Sequence, residues 1–210
     1  GDHPQAKPVF DLDCMSLLTI GRTLRDDHKF QSGRKVTFAP RVFFGAAANP
    51  FVPPLQWRAD RIAKKVEAGA QFIQTQYCYD IARLKTFMQQ VEDLGLLGKV
   101  FFLIGVGPLR TAKAAEWMRT NVPGIHIPDS VVKRMAGAEK PAQEGRQICI
   151  DLIQEIQTIK GVSGVHVMAY RQEETVAEII QKSGVLRGRV PWYPGRDTPA
   201  PSSEHAKENL

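Results

Sequence analysis

Cysteine is scarce in this chain and never paired. Cys14, Cys78 and Cys149 are its three cysteines, widely spaced, with no CxxC pair and no metal-ligand grouping around them. A disulfide framework and a zinc site are therefore not expected, and small side chains in a reducing cytoplasm are. Long apolar runs are also missing. The longest, such as VFFLIGV (100–106), are strand-length, far short of the roughly 20 residues of a membrane-spanning helix. The opening GDHPQAKP is polar and proline-bearing and does not read as a signal peptide. Net charge is +6 with a pI near 9.3, but the basic residues are scattered and form no stripe with aromatics interleaved. Nucleic acid is not the expected partner, whereas an anionic small molecule suits that balance. No P-loop, Ser-His-Asp arrangement or GxGxxG is present, since GVGPLR (105–110) is too short and lacks the third glycine.

What is present is an alternation. With 210 residues, 43% of them hydrophobic, the chain can build one sizeable core or part of a larger one. Four apolar runs read as strands: RVFFGAAA (41–48), QFIQTQ (71–76), KVFFLIGV (99–106) and GVHVMAY (164–170). Helical spacing fills the gaps. LQWRADRIAKKVEAGA (55–70) and IARLKTFMQQVEDLG (81–95) follow the first two strands, the second helix stopping at Gly95. RTAKAAEWMRTN, PDSVVKRMAG and PAQEGRQICIDLIQEIQTIKG come after the third, and EETVAEIIQKSG after the fourth. DLDCMSLLTIGRTL (11–24) makes an early helix. Strands joined by helical crossovers run parallel, which fits a doubly wound sheet or a (β/α)8 barrel. The barrel is favoured because polar residues and glycines gather just past each strand's C-terminal end, at Asn49-Pro50, Gln76-Tyr77, Gly105–Pro108 and Tyr170-Arg171. Barrels of this kind keep their active sites there. Only four of the eight strands are visible, so residues 1–185 read as part of a barrel. From Leu186 the sequence turns rich in proline, charge and serine, and 186–210 read as a largely disordered tail.

Individual residues carry two readings each. Along FIQTQY (72–77) the alternation of faces puts Phe72, Gln74 and Gln76 on one side and Ile73, Thr75 and Tyr77 on the other. Gln76, at the strand's end, suits a ligand contact, and Gln74, one layer deeper, a structural one. Asp2 is either a turn former in Gly-Asp-His-Pro or a carboxylate able to exchange a proton at a barrel mouth. GAAANP (45–50) either packs a strand tightly or lets the backbone approach something flat. Lys65 lies one helical turn from Arg61 and two from Arg58. That spacing makes either a solvated face or a phosphate contact. His166 is expected as a hydrogen-bonded core histidine and His126 on a loop.

The run FFGAAANPFVPP…RIAKKVEAGAQFIQTQYCYD resembles the methylenetetrahydrofolate reductases, in particular their bacterial and acetogen-type branch. GDHPQAKPVFDLD, GVGPLRTAKAAEWM, VPGIHIPDSVVKRMAG and GVHVMA extend the resemblance over about residues 1–185. It implies a (β/α)8 barrel with a flavin, FAD or else FMN, at the C-terminal ends of the strands. Hydride would pass from NAD(P)H to the flavin and then to 5,10-methylenetetrahydrofolate, giving 5-methyltetrahydrofolate. By that resemblance Asp2 matches an aspartate after the fourth strand, near flavin and pterin, and is the catalytic candidate. Gln76 matches a glutamine that hydrogen-bonds the pterin, with Tyr77 and Arg171 beside it at the substrate mouth. Lys65 matches a basic residue near the flavin phosphates. Gly1, Ala47, Ala48, Asn49 and Arg61 complete the expected flavin contacts.

The pattern also departs from the family. Asn49 and Pro53 stand where many relatives have a tyrosine and a histidine, and Met135 falls where a phenylalanine stacks on nicotinamide. Matching GDHP to the fourth strand reads this chain as a C-terminal half barrel, expected to be a gene fragment, a split-gene subunit completed by a second copy or a partner chain, or a partial sequence. Two other functions fit the residues: a pterin-binding methyltransferase barrel without flavin, and a non-catalytic subunit of a reductase complex.

Overall fold

The computed structural model describes residues 5, 7 and 11–189. Every expected element forms among them, with ends displaced by a few residues. The early helix α1 (Cys14–Arg22) starts at Asp13, whose carboxylate accepts the Ser16 N–H at 2.7 Å. That bond holds the Asp13 carboxyl below its ordinary value. Strand β1 (Gly45–Ala48) is followed by α2 (Arg58–Ala68), which ends at Gly69 with φ 119°, a conformation open to glycine. Strand β2 (Phe72–Tyr77) leads into α3 (Ile81–Asp93). After β3 (Phe101–Val106) come three helices, α4 (Ala112–Asn121), α5 (Asp129–Ala136) and α6 (Pro141–Ile156). Strand β4 (Val162–Val167) and α7 (Val176–Ser183) complete the set. Hydrogen-bonded turns continue from Gly184 to Arg189; the remainder of the expected tail lies outside the described residues.

The pairings within the four-stranded sheet are parallel and its order is β1-β2-β3-β4. That order decides between the two topologies. A doubly wound sheet reverses its strand order at a switch point, whereas a (β/α) barrel adds each strand beside the last. The fold is α/β, a four-stranded portion of a barrel.

One face of the sheet is the core. Ile73, Phe102, Ile104 and Val106 have no exposure and pack with Leu84, Phe87 and Val91 of α3 and Ile153 and Ile156 of α6. Phe87 meets Phe102 edge to face at 6.2 Å. Each such side chain contributes about 1.5–3 kcal/mol. No helix among the described residues is long and apolar enough to cross a membrane.

The opposite face, which lines the inside of a barrel, is only half covered. Phe72, Gln74, Leu103, Gly164 and His166 are partly exposed there. Near the strands' N-terminal ends Phe43 stacks on Phe72 at 5.5 Å and lies 6.1 Å from Phe101. Phe43 and Phe101 are 57% and 53% exposed. Strand β1 has a single neighbour in the sheet, and the Lys65 ammonium donates to the carbonyl of Ala47 on that strand.

Candidate functional site

The C-terminal ends of the four strands bring together the loops the sequence marked, and a bulge shapes their centre. Gln74 pairs with Leu103, but the next pairing on this ladder joins Tyr77 to Gly105, so three residues of β2 span two of β3. The extra residue breaks the period-two alternation. Tyr77 comes into register with Gly105 instead of following Ile73 and Thr75, a correction to the faces expected from sequence.

Two hydroxyls stand in for the missing ladder contacts. Thr75 Oγ1 accepts the Gly105 N–H at 2.9 Å and donates to the Gln76 carbonyl at 2.9 Å. Where the register between β3 and β4 also shifts, Ser163 Oγ accepts the Phe102 N–H at 3.2 Å. Nothing in the alternating pattern announces these bulges. The signal was a hydroxyl residue inside an apolar strand.

Gln76 is bent back on its own backbone, its Oε1 accepting the Tyr77 N–H at 3.0 Å. Among the described residues its Nε2 makes no hydrogen bond and keeps its two donors. Tyr77 crosses the top of β3 to donate its hydroxyl to the Met168 carbonyl at 2.9 Å. Its ring lies where a Cβ on Gly107 would stand, so only glycine fits beneath it. Tyr79 stacks on Tyr77 at 5.9 Å and donates to the Gly107 carbonyl at 3.1 Å. Burial pushes both phenols up, Tyr79 well above its ordinary value. Both hydroxyls act at neutral pH as hydrogen-bond donors, not bases.

Other expected site residues prove to be structural ties. Asn49 Oδ1 accepts the Phe51 N–H at 3.2 Å, while its Nδ2 reaches the Pro123 carbonyl at 3.5 Å. It clamps the loop after β1 to the connection between α4 and α5. Ala47 pairs with Gln74 and Ala48 with Thr75, leaving a face at β1 with almost no side chain. Three cations of α2, Arg58, Arg61 and Lys65, do not gather into an anion site. Arg58 donates to the carbonyls of Val52 and Pro53, Lys65 to Ala47, and Arg61 projects into solvent. Two of the three cations in the Arg58–Arg61–Lys65 row are thus engaged by backbone carbonyls.

Met135 is also corrected. It is 1% exposed, the buried residue of α5, and presents no surface on which a nicotinamide could stack. Arg171 stands at the rim after β4, at φ 55°, with its guanidinium 5.3 Å from the ring of exposed Tyr170. Gly1 and Asp2, and with them the catalytic candidate, lie outside the described residues. His126 does lie on a loop, as expected. Sequence reading missed its partner Asp80, which caps α3 by accepting the Arg83 N–H at 3.0 Å. Its other oxygen lies 3.0 Å from His126 Nδ1, off the line a hydrogen bond requires. An aspartate directly before the helical run IARLK was the signal for that cap.

No metal-binding cluster exists among the described residues. What the mouth offers is the polar side chains of Gln74, Gln76 and His166 beside the small Ala47 of β1, with the Met168 methyl packed over Gly105 and Leu103 against Gly164. Such a surface fits a flat ring system with a hydrogen-bonding edge better than a phosphate or a metal.

Known proteins share both the pattern and the fold. The family model for methylenetetrahydrofolate reductase matches residues 35–184. Methylenetetrahydrofolate reductase 2 of Schizosaccharomyces pombe is 30% identical over 137 residues, covering 61% of this chain and 21% of that protein. Methylenetetrahydrofolate reductase 1 of the same yeast is 25% identical over 126 residues, 58% of this chain and 20% of that one. The chain thus spans about one fifth of the length of these curated relatives. In fold it is similar to an uncharacterized protein from Clostridium thermocellum that binds two copies of 5-methyl-5,6,7,8-tetrahydrofolic acid. That match has a TM-score of 0.53 and 16% identity, over 84% of this chain and 70% of the other. With its residues 35–184 matched by the family model and its strands laid side by side in barrel order, this chain belongs to the methylenetetrahydrofolate reductase family.

Proposed function

We propose that this chain carries the C-terminal part of a flavin-dependent reductase that converts 5,10-methylenetetrahydrofolate to 5-methyltetrahydrofolate with NAD(P)H as electron donor. The observation that carries the reading is the family match over residues 35–184, which spans all four strands and the polar groups at their C-terminal ends. A flavin, FAD or FMN, would supply a two-electron carrier that takes up and delivers hydride. The residues present suit it in one respect, the small side chains of β1 from Ala46 to Ala48. Ala48, Asn49 and Arg61 would border it, and Asp2 and Gly1 would complete its surroundings.

In this reading Gln76 orients the folate. Its Oε1 is held by the Tyr77 N–H, so the amide plane is set before substrate arrives and Nε2 donates to the pterin edge. Preorganisation of that kind limits the entropy lost on binding. Tyr77, pinned to Met168, forms a wall of the same site, and Arg171 at the rim would meet the anionic tail of folate. Cytoplasmic one-carbon metabolism is the setting such a reaction implies. The reading also calls for further strands beside β1 and β4 to close the barrel.

The test is a comparison of half-reactions. Purified protein should show the visible absorbance of a bound flavin, bleached by NADH or NADPH. Gln76→Ala should slow folate reduction by about tenfold or more, the loss of one substrate hydrogen bond, and leave flavin bleaching by NAD(P)H nearly unchanged. Equal losses in both half-reactions would remove Gln76 from the folate site. A colourless protein that binds folate would favour the flavin-free methyltransferase.

A further inference from the structure

Ahead of β1, at the end of the sheet away from the mouth, the chain gathers cations and aromatic rings on one exposed surface. Residues 28–36 form a hairpin, with Lys29 bridged to Lys35 and the Val36 N–H donating to the His28 carbonyl at 2.8 Å. The hairpin stands apart from the four-stranded sheet. Its bridge sets two lysines directly opposite each other, a pairing that repels. Arg34 lies over the Phe30 ring at 5.4 Å. Beside the hairpin runs an open groove of about 750 Å³, with Phe38, Val42 and Phe43 along it and Arg25, His28 and Arg41 around them. Phe38 is 87% exposed, and Phe30, Val42 and Phe43 are exposed with it. Apolar side chains left in water together mark an interaction surface.

The charge of this surface is one-sided. No Asp or Glu occurs between Asp27 and Asp60, a stretch that holds Lys29, Arg34, Lys35, Arg41 and Arg58. Arg25 is held by Asp26 and Gln71, and Arg58 by the carbonyls of Val52 and Pro53. Lys29, Arg34, Lys35 and Arg41 form no ion pair among the described residues.

We propose that this surface docks an acidic, extended peptide segment of a partner protein. Apolar side chains of that segment lie against Phe38 and Phe43, and its carboxylates pair with Lys29, Lys35 and Arg41. Aromatic and arginine side chains are the usual anchors of an interface, and the four unpaired cations set the sign of the partner. A second copy does not supply that sign. Four other grooves of this chain bring cations of their own: Arg83 at α3, Arg187 and Arg189 beside β4, Lys85 and Lys160 below α3, and Arg119 at the end of α4. Nor does the surface suit a membrane, because the hairpin tip, Gln31-Ser32-Gly33, has no apolar side chain to insert.

The test uses the full chain and short labelled peptides, read by fluorescence anisotropy at low and physiological salt. A Glu-rich peptide with interspersed Leu should bind, and more weakly as salt rises. Its Lys-rich counterpart should not bind, and polyglutamate should bind about tenfold less tightly or worse. Phe38→Ala, and the pair Lys35→Glu with Arg41→Glu, should each weaken the Glu-Leu peptide about tenfold or more. Their melting temperatures should stay near wild type, because these side chains are exposed. Lys113→Glu, on α4 at the other end of the sheet, should bind as wild type does. Equal binding of polyglutamate and the Glu-Leu peptide, with Phe38→Ala silent, would reduce the surface to a charge patch and overturn the groove. Tighter binding of an oligouridylate or of phosphatidylserine vesicles would overturn the choice of a protein partner. No binding of the Glu-Leu peptide would overturn the proposal outright. The function proposed above stands or falls separately, since this surface is remote from Gln76 and takes no part in the reaction.

Discussion

Thr75 shows how much one hydroxyl can hold in place. It is 4% exposed, accepts the Gly105 N–H and donates to the Gln76 carbonyl, and so replaces a ladder bond at the bulge. Thr75→Val keeps the shape but leaves the Gly105 N–H unpaired in the interior. It should cost about 1–3 kcal/mol, read as a lower urea midpoint, while Thr75→Ser should recover most of that. The cysteines divide just as clearly. Cys14 is exposed, whereas Cys78 and Cys149 are buried, with burial pushing both thiols up to about 12. The thiolate is the reactive form, so a thiol reagent at neutral pH should modify Cys14 alone until denaturant is added. Rapid labelling of Cys78 or Cys149 in the folded protein would contradict this packing.

The elements show where local preference and packing disagree. Gly145 lies inside α6, where alanine would ordinarily stabilise a helix by about 1 kcal/mol. Here a Cβ would run into the backbone of Leu109 in the loop after β3. Overpacking costs typically about 1–3 kcal/mol, so Gly145→Ala should destabilise the protein despite its helix propensity, and a chemical denaturation curve gives the sign directly. Helix positions were legible from apolar spacing, as with Leu84, Phe87, Met88 and Val91 of α3, all buried as the spacing implies. Strand faces were legible only up to the bulge. Gln74 follows the alternation and Tyr77 does not, because the inserted residue is accommodated by contacts from β3, which no pattern within β2 records.

For the molecule as a whole, the buried titratable groups act in one direction. Cys78, Cys149, Tyr77 and Tyr79 all have their protonated forms favoured by burial. Each is therefore harder to deprotonate folded than unfolded, and the unfolded chain gains as protons leave. Their contribution is fully present below the ordinary thiol value near 9.0 and is lost as pH rises towards about 12. Stability measured by urea denaturation should stay level through neutral pH and fall above the thiol range. A Cys78→Ala, Cys149→Ala double variant should show a smaller fall with a later onset. Identical alkaline profiles for the two proteins would mean the thiols are not buried as described.

By itself the sequence determined the alternation of strands and helices, the parallel sheet, the positions of the loops at its C-terminal edge and the resemblance that the family match bears out. These follow from local periodicity and ordered motifs, which are written along the chain. The tertiary structure alone decided the sequential strand order that makes a barrel portion, the bulge at Gln76, the burial of Met135 and the unpaired Nδ1 of His166. The same is true of Lys65 and Asn49, which look like ligand contacts by type and spacing but are bound to backbone groups from elsewhere in the chain. Whether a polar side chain serves a ligand or the fold depends on which groups lie opposite it, and those groups are brought there only by packing.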